Sequence, residues 1–137
     1  MKGANRKTVV VAHPNIALAK YWGKCAWPGK YPAVPSLSVT LSGMETRTTI
    51  DLFDSSQTKD EFVLNGKALE GEAAAKSLAP VRALLTHAGI STVARVESNN
   101  DFPTGSGLAS SASGFAALAL AAVRACGVDV ELAHVSD

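Results

Sequence analysis

Residues 103–114 read Pro-Thr-Gly-Ser-Gly-Leu-Ala-Ser-Ser-Ala-Ser-Gly, and they are the most informative stretch of the 137-residue chain. They lead into a predicted helix from Leu108 to Ala125, for which Gly127 is a suitable stop. Glycines let a backbone approach a ligand closely. The first turn of a helix also presents unpaired N–H groups and a partial positive charge. The stretch therefore predicts an anion site, most often for phosphate, at the start of a helix.

Serine and threonine hydroxyls strengthen this interpretation, because they are further donors and can serve as oxygen ligands for Mg²⁺. The stretch is not a Walker A loop, since no Gly-Lys-Ser/Thr follows. Positive charge must therefore come from a metal or from elsewhere in the chain. A capped helix packed through small side chains is the competing interpretation, although capping needs only one oxygen.

The helix itself is expected to be buried on most sides, since the face opposite its apolar face is mostly alanine. Its start would then lie in a protected site, where a low dielectric strengthens the attraction of an anion. The residues predicted to share the buried face are Leu108, Ala112, Phe115, Leu118, Ala119 and Ala122.

Working outward, the remaining segments predict strands and one further helix. Strands before and between helices, with few βαβ units, favour an α+β fold over a doubly wound sheet. The predicted strands are 8–13, buried on both faces; 15–21; 36–41, half-buried; 46–53; 61–64 and 67–69, joined by an Asn65-Gly66 turn; and 92–97. The further helix runs from 72 to 87, kinked or divided at Pro80, and residues 99–106 are predicted to be a loop.

Composition excludes several classes of function. Thirteen Lys and Arg against twelve Asp and Glu give a net charge of +1, too little for a large basic surface that binds nucleic acid or an anionic membrane. The longest apolar run, Phe115 to Val123, is far shorter than the ~20 residues of a membrane span. Cys25 and Cys126 are far apart and lack ligand-like spacing to a histidine. They predict free thiols in a reducing cytoplasm and no zinc site.

A second informative segment, residues 15–24, combines an amide, two lysines, two aromatic residues and a glycine. Lysine suits a phosphate as a compact point charge. On a strand, Lys20, Trp22 and Lys24 would lie on one side, and Asn15 and Tyr21 on the other, unless Gly23 breaks the register. From spacing alone, an edge strand with exposed lysines and packed aromatic rings is the favoured interpretation.

Together the two segments resemble one family, the GHMP small-molecule kinases. The family's phosphate motif stands here as Pro103, Gly107-Leu108, Ser110-Ser111 and Ala112-Ser113. Residues 15–24 are more specific, since Asn-Ile-Ala followed by Lys-Tyr-Trp-Gly-Lys resembles the N-terminal signature of the diphosphomevalonate decarboxylases within that superfamily. Residues 35–41 and 99–104 fit the same signature, so the resemblance spans essentially the whole chain.

The resemblance implies a mixed or antiparallel sheet packed against helices. It also implies that residues 1–137 are an N-terminal, ATP-binding domain, truncated at its C-terminal end. The implied enzyme couples hydrolysis of ATP, with Mg²⁺, to decarboxylation of mevalonate 5-diphosphate, a small phosphorylated substrate. Isopentenyl diphosphate for isoprenoid biosynthesis is the product. A cytoplasmic homodimer is implied for the full-length protein.

Residue by residue, the resemblance assigns a substrate site and a nucleotide site. Substrate-diphosphate binding is carried over to Tyr21, Trp22, Gly23 and Lys24, with Asn15 and Lys20 in supporting catalytic positions and Lys76 or Arg82 as a further cation. ATP-phosphate binding is carried over to Pro103, Thr104, Gly105, Ser106, Gly107, Leu108, Ala109, Ser110, Ser111, Ala112 and Ser113. Ser111 is the candidate for orienting the transferred phosphate or its Mg²⁺.

Two departures from the family pattern matter. Val34-Pro35 stands where the family commonly has a polar pair, which leaves room for mevalonate 5-phosphate or mevalonate as substrate. The family's essential arginine and aspartate have no counterpart in this chain, so the 137 residues alone are expected to be inactive. Another GHMP kinase, which needs only the phosphate motif, and a non-catalytic nucleotide-binding fragment are the alternative interpretations.

Overall fold

A computed structural model describes residues 6–20, 23–27, 31–53, 58–103 and 110–128. In this part of the chain, two helices pack on a five-stranded sheet, and two further strands form a sheet of their own. The elements in chain order are β1 (Arg6–Ala12), β2 (Asn15–Ala19), β3 (Leu37–Thr40), β4 (Thr46–Phe53), β5 (Glu61–Leu64), β6 (Lys67–Ala68), α1 (Gly71–His87), β7 (Val93–Asn100) and α2 (Ser110–Ala125).

The larger sheet has the strand order β1-β4-β7-β5-β6, and the smaller sheet pairs β2 with β3. All strand pairs are antiparallel except β5 and β7. This confirms the predicted α+β class with a mixed, mostly antiparallel sheet. None of the helices in the described ranges is long and apolar enough to cross a membrane.

Strand β4 shows how the sequence builds the core. Its residues alternate between buried and more accessible positions, as a strand with one covered face requires. Ile50 pairs with Val96 of β7, and both side chains are fully buried beneath the helices. The Asn65-Gly66 hairpin between β5 and β6 is also confirmed, because both residues adopt the positive φ of a tight turn.

Two strand predictions about burial are wrong. In β1 only Val10 is buried, while Val9 and Val11 are 43% and 38% exposed, because β1 is an edge strand with helices on one face. All four residues of β3 are exposed, and Leu37 is 62% exposed, although its alternating pattern predicted a half-buried strand. Strand β3 pairs with β2 outside the five-stranded sheet, so the helices that bury β4 do not cover it.

Three predictions about helices and their boundaries also change. Helix α1 is not divided at Pro80, and a kink there stays a prediction. Residues 76 and 80 are both exposed, so water can bind the carbonyl that Pro80 leaves unpaired. Strand β7 continues to Asn100, because 99 and 100 pair with β4. The predicted α2 face is wrong at Ala112 and Phe115, which are exposed. The residues that α2 buries are Ser113, Ala117, Leu118, Ala121, Ala122, Val123 and Ala125.

Candidate functional site

The first turn of α2 lines an open cleft of about 150 Å³ between this helix, α1, β5 and β7. Apolar side chains form one part of its wall and hydroxyl or amide groups form another. The apolar lining residues are Phe62, Leu64, Phe115 and Leu118, and the polar ones are Ser77, Ser98, Asn100, Ser110 and Ser111. An apolar wall beside a few converging polar groups is typical of a small-molecule site.

Ser110 and Ser111 bring the predicted phosphate motif into this cleft. Ser111 is exposed, so its hydroxyl is accessible to a ligand, and the start of α2 adds the positive end of the helix dipole. Of the remaining predicted phosphate-binding residues, 104–109 lie outside the described residues, and Pro103 is exposed at the end of the preceding segment. The assignment of the ATP phosphates to residues 103–113 remains a prediction.

A buried polar network holds the first turn of α2 against the sheet. Thr46, fully buried at the start of β4, donates from Oγ1 to Asn100 Oδ1 over 2.7 Å. The same Oγ1 lies 2.8 Å from Oγ of Ser113, which is only 3% exposed. Because the Thr46 hydroxyl hydrogen goes to Asn100, Ser113 donates its own hydrogen to Thr46 Oγ1. The carbonyl oxygen of Ser110, in the same helical turn, lies 3.1 Å from Ser113 Oγ. A buried hydroxyl is costly without a partner, so this network fixes where α2 begins relative to β4 and β7.

The same face of the sheet carries a second hydroxyl pair. Thr48 Oγ1 and Ser98 Oγ are 2.9 Å apart and buried, and the two residues are direct partners across β4 and β7. Ser98 also lines the cleft. Polar cross-strand pairs therefore replace apolar packing at the end of the sheet that faces the cleft.

The hairpin turn and the segment after β7 are also fixed by hydrogen bonds. Asn65 Oδ1 accepts from the backbone N–H of Asn100 over 2.8 Å, and the Asn65 N–H donates to the Ser98 carbonyl over 2.9 Å. The backbone N–H of Glu45 donates to Asp101 Oδ1 over 2.7 Å. These bonds set the position from which the chain leaves β7 towards the phosphate motif.

The lysine segment lies on the smaller sheet. Asn15 in β2 donates from Nδ2 to Ser38 Oγ over 3.5 Å, a long hydrogen bond. Lys20 and Lys24 are exposed, and Gly23 has φ +80°, a conformation that favours glycine. Tyr21 and Trp22 lie outside the described residues. None of the described residues of this segment lines the cleft.

The two candidate cations on α1 differ in their surroundings. Lys76 forms an i,i+4 ion pair with Glu72 at 2.8 Å and its side chain is 75% exposed. Arg82 binds both carboxylate oxygens of Asp60 and donates to the Thr92 carbonyl over 2.7 Å. Burial lowers the pKa of Arg82, although an arginine stays charged at neutral pH. Its donors are engaged within the fold, which argues for a structural rather than a substrate-binding role.

Sequence reasoning missed Thr46, Thr48, Ser98 and Asn100, although a signal for two of them was present. The period of two in a strand places Thr46 and Thr48 on the same face of β4 as Ile50. Two threonines on the buried face of a strand require hydrogen-bond partners.

In the described ranges, no cluster of three His, Cys, Asp or Glu residues could hold a metal.

Comparisons with known proteins point to one family. A family profile, the diphosphomevalonate decarboxylase-like N-terminal domain, matches residues 12–137. The chain is 36% identical over 130 residues to a phosphomevalonate decarboxylase from Haloferax volcanii, covering 95% of this chain and 40% of that protein. It is 39% identical to the solved mevalonate diphosphate decarboxylase from Enterococcus faecalis, with a TM-score of 0.79, covering 97% of this chain and 42% of that one.

A further similar structure is MDDEF in complex with MVAPP, AMPPCP and magnesium, which is 39% identical with a TM-score of 0.78. The match covers 97% of this chain and 41% of that one. The chain thus spans about two fifths of the length of the relatives it matches.

Proposed function

The chain belongs to the diphosphomevalonate decarboxylase-like family, and we propose that the whole protein decarboxylates mevalonate 5-diphosphate at the expense of ATP. The products are isopentenyl diphosphate, ADP, phosphate and carbon dioxide, so the protein serves isoprenoid biosynthesis. One structural observation carries the proposal: the serine-bearing first turn of α2 lines a cleft and is held there by buried hydrogen bonds. Residues 1–137 are its N-terminal, nucleotide-binding domain.

The cleft suits a nucleotide in both its polar and its apolar parts. The start of α2 and the hydroxyls of Ser110 and Ser111 suit a polyphosphate, while the ring of Phe115, 63% exposed at the cleft, suits the flat face of a base. A serine hydroxyl also fits Mg²⁺, which prefers oxygen ligands. When bound, that ion would neutralise charge on the transferring phosphoryl group. The similar complex with AMPPCP and magnesium supports ATP and Mg²⁺ as the cofactors.

The substrate is assigned to the lysine segment. Lys24 and its neighbours Tyr21, Trp22 and Gly23 would bind the phosphate groups, while Asn15 and Lys20 would orient the remainder of the acid. Lys76 remains a candidate for a further substrate-binding cation. Arg82 is no longer a candidate, because its guanidinium group is bound to Asp60. The complex of MDDEF with MVAPP supports a phosphorylated substrate of this kind.

This chain's part in the reaction is binding and orientation. ATP phosphorylates the tertiary 3-hydroxyl, phosphate then leaves, and the electrons of the carboxylate C–C bond form the alkene as carbon dioxide departs. Ser111 would hold the transferring phosphate in line with that hydroxyl, which is how positioning accelerates phosphoryl transfer. The arginine and aspartate that the family requires belong to the rest of the protein, so the 137 residues alone are inactive.

Mevalonate 5-phosphate is the second candidate substrate, because one similar relative is a phosphomevalonate decarboxylase. Val34-Pro35, exposed ahead of β3, replaces the polar pair expected near the substrate and is the feature that leaves this choice open. A homodimer is proposed for the whole protein. A cytoplasmic location is also proposed, and the free thiols of Cys25 and Cys126 support it.

The test is a coupled assay of the full-length protein with ATP, Mg²⁺ and each mevalonate phosphoester, following phosphate and carbon dioxide together. We expect equal amounts of both products, with mevalonate 5-diphosphate giving the higher kcat/KM. Preference for mevalonate 5-phosphate would change the substrate and keep the reaction. ADP formation with a stable phosphorylated product and no carbon dioxide would indicate a GHMP kinase and overturn the proposal.

A further inference from the structure

Thr46 connects three elements at the base of the cleft. It is fully buried at the first position of β4, and its hydroxyl contacts Asn100, at the end of β7, and Ser113, in the first turns of α2. Ser113 shares a helical turn with Ser110, a residue of the cleft wall whose carbonyl oxygen is 3.1 Å from Ser113 Oγ. The path from the sheet to the cleft is therefore continuous, and Thr46 itself does not line the cleft.

The hydrogen bond between Thr46 and Ser113 is placed where it can set the orientation of the first turn of α2. Residues 110–113 form the first turn of α2, in which Ser111 faces the cleft and Ser113 faces the sheet. A rotation or shift of that turn would move the Ser111 hydroxyl and the helix's free N–H groups together. Ser113 is the buried residue of this turn, and the other buried residues of α2 lie in later turns, so the Thr46–Ser113 hydrogen bond is placed to set the rotation of the first turn.

We propose that Thr46 is a positioning residue for phosphoryl transfer, acting through Ser113 to set the orientation of the first turn of α2. The inference rests on the proposed function, since it concerns the same nucleotide site. The Thr46 hydroxyl is hydrogen-bonded to both Asn100 and Ser113, and hydrogen bonds fix the direction as well as the distance between their groups. An apolar side chain of equal size would fill the same space without fixing the direction.

The test uses full-length protein with Thr46→Val, which keeps the volume and removes the hydroxyl, and Thr46→Ser, which keeps the hydroxyl. Thr48→Val is the matched control, because Thr48 is equally buried on the same face and its hydroxyl pairs with Ser98, not with α2. We expect Thr46→Val to lower kcat about 10- to 100-fold, the loss typical of misplacing a reacting group. The KM of the phosphorylated acid should stay nearly unchanged. Thr46→Ser should restore most of the turnover.

A double-mutant cycle with Ser113→Ala separates positioning from a general loss of stability. If both residues act through their shared bond, Thr46→Val with Ser113→Ala should lower kcat no more than Thr46→Val alone. Additive losses would overturn the proposal, as would Thr46→Val and Thr48→Val lowering the melting temperature alike with kcat intact in both. If Thr46→Val does not fold, Ser113→Ala takes its place, and its kcat and melting temperature are compared with those of Thr48→Val.

Hydrogen exchange provides a readout that does not depend on the reaction. The N–H groups of residues 114–117 close the first turn of α2 by bonding to the carbonyls of 110–113. Thr46→Val should speed exchange at these amides, and Thr48→Val should not. Exchange unchanged by Thr46→Val would overturn the proposal even in an active protein. A wild-type protein that releases no carbon dioxide would instead overturn the proposed function and leave this measurement valid.

Discussion

Single side chains in this protein are best understood through their partners. The sequence pointed to hydroxyl groups at residues 110–113, and the structure divides them between two roles. Ser111 is exposed towards the cleft and Ser113 is buried against Thr46. Helical spacing could separate these faces, but it could not reveal Thr46 as the partner, because that contact joins residues 67 positions apart. Arg82 shows the same limit, since its partner Asp60 lies 22 residues earlier, just before β5.

The exposed hydroxyl of Ser111 leads to the first prediction. In the full-length protein, Ser111→Ala should lower kcat about 100-fold, the usual effect of removing one donor to a developing charge. The KM for the phosphorylated acid should change much less. Steady-state kinetics would show this difference, with Ser91→Ala, an exposed serine before β7, as the control. Equal losses in kcat and KM, or no loss, would contradict the assigned role.

Lys24 leads to a prediction of the opposite kind. Because its ammonium group would bind a substrate phosphate in both the ground and transition states, Lys24→Ala should raise KM about 10-fold or more, the value of a charged hydrogen bond. The turnover number should change little. Lys59→Ala removes an exposed lysine just before β5 and should leave KM unchanged. An unchanged KM in Lys24→Ala would remove this residue from the substrate site.

At the scale of elements, local sequence patterns correctly predicted the strands and turns that depend mainly on neighbouring residues. Alternation located β4, and the Asn65-Gly66 turn located the β5–β6 hairpin. Burial was harder to predict, since it depends on what packs above an element. The periodicity of α2 put Phe115 in the core, yet Phe115 is 63% exposed, because near the start of α2 this face borders the open cleft.

Two glycines with different backbone conformations give a prediction at this scale. Gly66 has φ +76°, so Gly66→Ala should destabilise the protein by about 1 kcal/mol. Gly114 is in α2, and an added Cβ would meet nothing within 4 Å beyond the neighbouring backbone of the helix itself, so Gly114→Ala should stabilise by about 0.5–1 kcal/mol. Denaturant unfolding of the full-length variants measures both. The same sign for both substitutions would contradict the assignment of the turn and the helix.

At the scale of the whole molecule, the described residues form one well-packed unit and one open one. The five-stranded sheet has its core beneath α1 and α2, whereas β2 and β3 expose Ile16, Leu18, Leu37 and Val39. The lysine segment belongs to this open part. The sequence predicted both motifs and their chemistry through family resemblance. It could not predict how the two sheets face each other, since that is set by packing over the whole protein.

The account depends on the two motifs serving one reaction. The most direct measurement is a crystal structure of the full-length protein with a non-hydrolysable ATP analogue, Mg²⁺ and mevalonate 5-diphosphate. The account predicts the terminal phosphate within hydrogen-bond distance of Ser111, the substrate's phosphates against Lys24, and the substrate's 3-hydroxyl between them. Nucleotide and acid bound in separate clefts, or a nucleotide away from the first turn of α2, would contradict it.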